Sequence, residues 1–134
     1  MKKTLYLAFV AVFCLLALSS CKSNRMLLQM EVKAANSMCP QKVAEGLTMT
    51  KIELTGDYVT YTYEGDDSLY WFDQSLVNDD LKQSTINSLV ESSLTDKNVK
   101  KYLKLIKDNN VGMICHYFTS NSSMDLVIEP WEFN

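Results

Sequence analysis

The feature that most restricts the fold is an alternating stretch of threonine, tyrosine and β-branched residues on both sides of Thr55-Gly56-Asp57. Residues 48–54 before this turn and residues 59–63 after it repeat with a period of two. Such residue types with that period predict two strands, and the short glycine-containing turn joins them in a hairpin. Residues 111–119 and 124–129 predict a second hairpin, joined by Ser120-Asn121-Ser122-Ser123.

Three other segments have helical spacing of their apolar residues. The first covers residues 26–38 and must end near Cys39-Pro40, because a residue before proline is pushed towards extended geometry. The second covers residues 76–94, with Ser75 as a candidate cap and apolar positions that include Val90 and Leu94. The third begins near Asp96 and stops at Asn109-Asn110. Residues 69–72 fit either a short strand or the approach to a helix.

The predicted order is α-β-β-α-α-β-β within one domain, residues 26–134. Two hairpins and three helices can share one core as an α+β fold, with a four-stranded antiparallel sheet and helices packed on one face. We expect Trp131 and Phe133 to close that core or its edge. Only 4 glycines and 2 prolines are present, and no internal linker or repeat is visible.

The element order resembles small secreted α+β domains of the cystatin-like or lactamase-inhibitor-like kind. The run Ala34-Ala35-Asn36-Ser37-Met38-Cys39-Pro40 resembles a group of uncharacterised bacterial lipoproteins and secreted proteins.

The N-terminus predicts export. Met1-Lys2-Lys3 is a positive start, and the apolar residues 5–18 have the length of a secretory signal, shorter than a membrane span of roughly 20 residues. Leu18-Ser19-Ser20-Cys21 resembles the lipobox of bacterial lipoproteins. This resemblance implies a signal peptide over residues 1–20, cleavage before Cys21 and lipidation of Cys21. An ordinary secretory signal with a chance cysteine is the alternative.

The predicted tether, residues 21–25, reaches only about 14 Å beyond the anchor and holds the domain near the membrane. Lys22 is similar to the non-acidic residue that follows the cysteine in outer-membrane lipoproteins, so the resemblance implies an outer-membrane protein that faces the periplasm. Loss of residues 1–20 removes two lysines and no acid, which changes the formal charge from -3 to -5. An acidic domain is a poor partner for nucleic acid.

Cys39 and Cys115 are the cysteines left in this oxidising compartment. A disulfide between them would close about 76 residues and stabilise the fold by ~4 kcal/mol in the chain-entropy model. Two buried free thiols are the alternative. A third hypothesis is a cysteine nucleophile with His116, but neighbours on a strand point to opposite faces, so His116 cannot easily activate Cys115. The three residues lack the paired spacing of a metal site, and no cofactor is expected.

Two surfaces are candidates for binding. One is a basic helix face opposite the apolar residues of the third helix; its members are Lys97, Lys100, Lys101, Lys104 and Lys107. It is either a solvated face or a contact for lipid phosphates or an acidic partner. The other mixes carboxylates with aromatics, which could bind a sugar by stacking or a cation through oxygen, although it lacks calcium-loop spacing. Its members are Asp66, Asp67, Tyr70, Trp71, Asp73, Asp79 and Asp80.

Two functional classes follow. The first is a non-catalytic, lipid-anchored binding, adaptor or inhibitor-like domain, with the membrane and an envelope protein as partners and an undetermined oligomeric state. The second is a small hydrolase or transferase that uses Cys39 or Cys115 with His116. The sequence contains no glycine-rich phosphate loop, serine elbow or metal motif, which favours the first class.

Overall fold

The computed structural model describes residues 23–133, in which three α-helices, five strands and two 3-10 turns follow one another. Their bounds, in chain order, are α1 Asn24–Asn36, β1 Gln41–Ala44, β2 Leu47–Thr55, β3 Tyr58–Gly65, a 3-10 turn Gln74–Leu76, α2 Asp79–Thr95, α3 Lys97–Asp108, β4 Gly112–Phe118, β5 Ser123–Ile128 and a C-terminal 3-10 turn Pro130–Phe133. The proposed signal peptide, Cys21 and Lys22 lie outside these residues.

The strands form one sheet in the order β1-β2-β3-β4-β5. Neighbouring strands are antiparallel except β3 and β4, which are parallel from Tyr58 beside Gly112 to Glu64 beside Phe118. The α+β class and the two hairpins are confirmed, but the four-stranded antiparallel sheet is wrong in two respects. The sheet has an additional strand, β1, and residues 66–111 return the chain to the opposite end of the sheet before β4 begins. A crossover of that length makes parallel pairing possible.

The core lies between one face of the sheet and the helices. Alternate residues of β3, among them Tyr61 and Tyr63, are buried against the helices, and the Tyr61 hydroxyl hydrogen-bonds to that of Tyr102 on α3. The residues between them on β3, Thr60 and Thr62, are half-exposed on the opposite, open face of the sheet. The tyrosine and threonine alternation therefore separates a packed face from a solvated one.

Polar caps set the helix starts. The Ser23 hydroxyl accepts a hydrogen bond from the Met26 amide, so α1 begins at Asn24 and takes in two residues that the sequence analysis assigned to the tether. Asn78, not Ser75, caps α2 through the Leu81 amide. Asp96 caps α3, as its predicted start implies. None of the helices within residues 23–133 is long and apolar enough to cross a membrane.

Between β3 and α2 the chain runs past the outer edge of β5. Residues 69–72, which were ambiguous in the sequence, form neither strand nor helix; Tyr70 and Phe72 are buried there and stack with ring centroids 5.6 Å apart. Next, the Gln74 side-chain amide donates to the Asp125 carbonyl and its oxygen accepts from the Asp125 amide, both at 2.9 Å. One side chain thus satisfies backbone groups of an edge strand that would otherwise be open to pairing.

Candidate functional site

The lysine-rich face of α3 borders a groove between α2 and α3. The groove has a volume of about 600 Å³, and its apolar lining comes from Val90 of α2 and Leu103 of α3. The five candidate lysines, Lys97, Lys100, Lys101, Lys104 and Lys107, all line it, together with Ser93 and Asp108. The structure therefore brings the whole sequence-predicted basic set together at one concave surface.

Two apolar side chains of α2, of which Val90 lines the groove, are more exposed than the sequence predicts. Val90 and Leu94, predicted to lie with the core residues of α2, are 41% and 79% exposed. They follow the buried Leu89 by one and five positions, so they lie beside the core face of the helix and not on it. The groove thus presents apolar side chains next to ammonium groups, a combination suited to an amphipathic ligand with acidic groups.

Two carboxylates modify the charge of the lysine face. Lys104 Nζ lies 2.5 Å from Asp108 on the same helix, an exposed pair of the kind that contributes little stability. Glu31 of α1 is buried near Lys101, and burial raises its pKa although the Lys101 charge acts in the opposite direction. Lys97, Lys100 and Lys107 are exposed at the groove rim.

Cys39 and Cys115 are both free thiols in the structure, so the predicted disulfide is not formed in it. Cys115 is completely buried, and burial raises its pKa to about 12. Cys39 is half-buried, its Sγ lies 3.9 Å from the Ala35 carbonyl oxygen, and burial raises its pKa as well. Both thiols therefore remain protonated near neutral pH, the opposite of what a nucleophile needs.

His116 lies on the open face of the sheet, across from the core that contains Cys115. Its Nδ1 is 2.6 Å from a carboxylate oxygen of Asp125 on the neighbouring strand β5. The structure therefore does not bring His116 to Cys115, which agrees with the alternation argument and leaves the cysteine-enzyme hypothesis without a base for that thiol. The His116–Asp125 pair was not predicted, although both residues occupy outward positions of the second hairpin.

The carboxylates between β3 and α2 serve local structure. Asp66 accepts hydrogen bonds from the amide and hydroxyl of Ser68, and these bonds lower its pKa. Asp67 accepts from Ser120 in the β4–β5 turn, with the same effect on its pKa. Asp73 caps the 3-10 turn through Ser75. Residues 23–133 contain no group of three or more side chains placed to hold a metal ion.

The chain matches no protein-family model and no curated protein. Two solved structures share its fold. One is the pilotin EpsS of the Vibrio vulnificus type 2 secretion system, with a TM-score of 0.55 and 11% identity over 83% of this chain and 92% of that one. The other is the type II secretion system pilotin AspS of Vibrio cholerae, with a TM-score of 0.51 and 12% identity over 81% of this chain and 91% of that one. At these identities the likeness establishes the fold.

Proposed function

We propose that this chain is a lipid-anchored, non-catalytic adaptor of the cell envelope that binds a protein component of a secretion machine. The observation that supports this most directly is the fold shared with two secretion-system pilotins, which extends over more than 80% of this chain and more than 90% of each pilotin. A likeness over most of both chains favours a similar role for the whole protein over the reuse of one structural unit.

The proposed anchor is Cys21, after removal of residues 1–20, and the proposed location is the periplasmic side of the outer membrane. The domain then comprises the residues from α1 onwards, and the tether is shorter than the sequence analysis expected because α1 already begins at Asn24. Lipidation keeps the adaptor at the membrane that holds its partner, so the two proteins meet in two dimensions and at a raised effective concentration.

The partner surface in this proposal is the groove between α2 and α3. Its apolar lining and lysine rim match an amphipathic segment with acidic residues. The alternative function, a cysteine hydrolase or transferase, has less support, because Cys115 is buried with a pKa near 12 and His116 lies on the other side of the sheet.

The test is site-specific photocrosslinking in cells of the native host. A photoreactive amino acid at Ser93, inside the groove, should capture one defined envelope protein, and the same amino acid at Thr60 on the open sheet face should not. Adding Lys100→Glu and Lys104→Glu should then reduce the Ser93 crosslink several-fold, because these changes lower the formal charge of the groove lining from +4 to 0.

A matched control makes the same change in charge elsewhere. Lys42→Glu with Lys51→Glu alters two exposed lysines of β1 and β2, away from the groove, and should leave the Ser93 crosslink intact. If both double variants lose the Ser93 crosslink equally, the loss is caused by the net charge of the protein and not by the groove. If the groove variants leave the Ser93 crosslink unaffected, the groove is not the partner site. Thermal melts of each variant check that the fold is retained.

A further inference from the structure

We propose that the end of the domain from which the chain leads to Cys21 is itself a membrane-contacting surface, with Trp131 inserted at the level of the lipid headgroups. This inference rests on the lipid anchor of the proposed function and extends it, because it gives the domain a fixed orientation on the membrane. The surface, called here the anchor-side end, is formed by the start of α1, the β2–β3 turn, the end of α3 and the C-terminal 3-10 turn.

Hydrogen bonds bring these four segments together at one end of the sheet. Arg25 of α1 donates to the Gly56 carbonyl in the β2–β3 turn at 2.6 Å, and the Asn109 side chain after α3 donates to the Asn24 carbonyl at 3.0 Å. Gly112, the first residue of β4, donates to the Asp57 carbonyl at 2.8 Å. Since β5 runs antiparallel to β4, its last residues and the turn Pro130–Phe133 lie at this same end.

The chain leaves the domain at this end. Ser23 caps α1, so only Lys22 and Ser23 separate the helix from Cys21, a reach of about 7 Å when extended. The headgroup layer on each side of a bilayer is itself roughly 5–8 Å thick. If Cys21 is lipidated, the anchor-side end therefore cannot move away from the headgroups.

Two large apolar side chains are exposed at this end. Trp131, expected from the sequence to close the core, is 67% exposed, whereas its neighbour Phe133 is buried and holds the turn against the core. Met26, in the first turn of α1, is 50% exposed. Tryptophan favours the membrane–water interface because its ring is largely apolar while its indole N–H can bond to headgroups.

Charge does not explain the contact. Arg25 and Lys107 are at or near this end, but so are Asp57, Asp108, Glu129 and Glu132. Glu129 accepts a hydrogen bond from the Tyr58 hydroxyl, and Glu132 accepts one from the Glu129 amide and lies 3.8 Å from Lys82. The mixed charge predicts a contact that depends on the aromatic ring and changes little with salt.

The protein contains a built-in control for this inference. Its other tryptophan, Trp71, is 48% exposed, but its neighbours Tyr70 and Phe72 bond to the β1–β2 and β4–β5 turns, at the opposite end of the sheet. An eight-residue strand such as β3 spans about 25 Å, so the two indoles lie at very different heights above an anchored membrane.

The experiment uses the lipidated mature protein in vesicles of phosphatidylethanolamine and phosphatidylglycerol with acyl chains brominated near the headgroup. The variant Trp71→Phe reports on Trp131 alone, and Trp131→Phe reports on Trp71 alone. We expect bromine to reduce Trp131 emission at least 2-fold and to leave Trp71 emission unchanged, at both 0.05 M and 0.5 M salt.

Equal quenching of the two tryptophans, or none of Trp131 in protein that floats with the vesicles, would overturn the proposed orientation while leaving the anchor in place. Quenching of Trp131 that disappears at high salt would also overturn it, because it would assign the contact to the lysine face. If the mature protein carries no lipid on Cys21 and does not float with the vesicles, the anchor is rejected, and this inference with it.

Discussion

Tyr117 places a hydroxyl in the core where, among residues 23–133, no nitrogen or oxygen atom pairs with it and the weakly bonding Cys115 thiol is its polar contact. Its ring is nevertheless well packed, with Tyr63 stacked at 4.8 Å and Phe72 at 5.4 Å between ring centroids. A buried hydroxyl with only a weak thiol contact recovers little of the free energy lost on leaving water, whereas the aromatic ring contributes favourable packing. The packed ring of Tyr117 therefore stabilises the fold more than its hydroxyl does.

We therefore expect Tyr117→Phe to leave the free energy of unfolding unchanged or to raise it by up to about 1 kcal/mol. The matched variant is Tyr70→Phe, which removes a hydrogen bond of 2.8 Å to the Glu45 carbonyl and should lower that free energy by about 1 kcal/mol. Urea denaturation of both variants measures the difference. A larger loss for Tyr117→Phe than for Tyr70→Phe would show that the Tyr117 hydroxyl is satisfied in solution.

The two thiols should differ in reactivity. In a soluble form that begins at Lys22 and is purified without reductant, we expect iodoacetamide to modify half-buried Cys39 slowly and buried Cys115 only after unfolding. Raising the pH to 9 should not expose Cys115 reactivity, because its pKa of about 12 keeps the thiol protonated. Intact mass counts the modified thiols.

Two modified thiols after denaturation would confirm free cysteines, as the structure has them. No modification would show a Cys39–Cys115 disulfide in the purified protein. Fast labelling of either thiol in the folded state would revive the cysteine-enzyme hypothesis.

At the scale of elements, the first residue of β4, Gly112, is tightly enclosed by the neighbouring strands. A Cβ atom on Gly112 would lie 2.4 Å from the Ile128 carbonyl oxygen and 2.8 Å from the Tyr58 ring. Gly56 is the contrasting case, because its φ of +59° favours glycine but nothing lies within 4 Å of an added Cβ.

We expect Gly112→Ala to lower the free energy of unfolding by about 3 kcal/mol, through overpacking against backbone. Gly56→Ala should cost about 1 kcal/mol, through backbone strain alone. Chemical denaturation distinguishes the two values. A Gly56→Ala loss equal to or larger than that of Gly112→Ala would show that the strand can move to accept the methyl group.

The elements that the sequence predicts well are those encoded locally. The alternation around Thr55-Gly56-Asp57 and the cap at Asp96 depend on neighbours within a few residues, and both agree with the structure. Strand β1 has only four residues, and its pairing with β2 shifts register between Lys42 and Ala44, so its formation depends on a partner strand and not on its own pattern. The parallel direction of β4 is likewise a property of the crossover, which a period of two does not encode.

For the whole molecule, the candidate site could be predicted only in part. The five lysines repeat along one helix, so their common face follows from the sequence. The groove beside this face does not follow from the sequence, because Val90 of α2 lines it and lies near the lysines only once α2 packs against α3. Similarly, Trp131 and Asn24 are 107 residues apart in the chain; the antiparallel pairing of β4 with β5 and the hydrogen bonds of Arg25 and Asn109 place them at the same end of the sheet.

The parallel pairing of β3 with β4 also determines how this chain can fold. Each hairpin joins residues close in sequence and can form in microseconds, but every β3–β4 partner is 54 residues away, from Tyr58 with Gly112 to Glu64 with Phe118. The entropy of closing that long loop makes the meeting of the two hairpins the slow step. Until it occurs, the tyrosine-rich edge of β3 stays unpaired, so the newly synthesised chain is most vulnerable to aggregation during this interval.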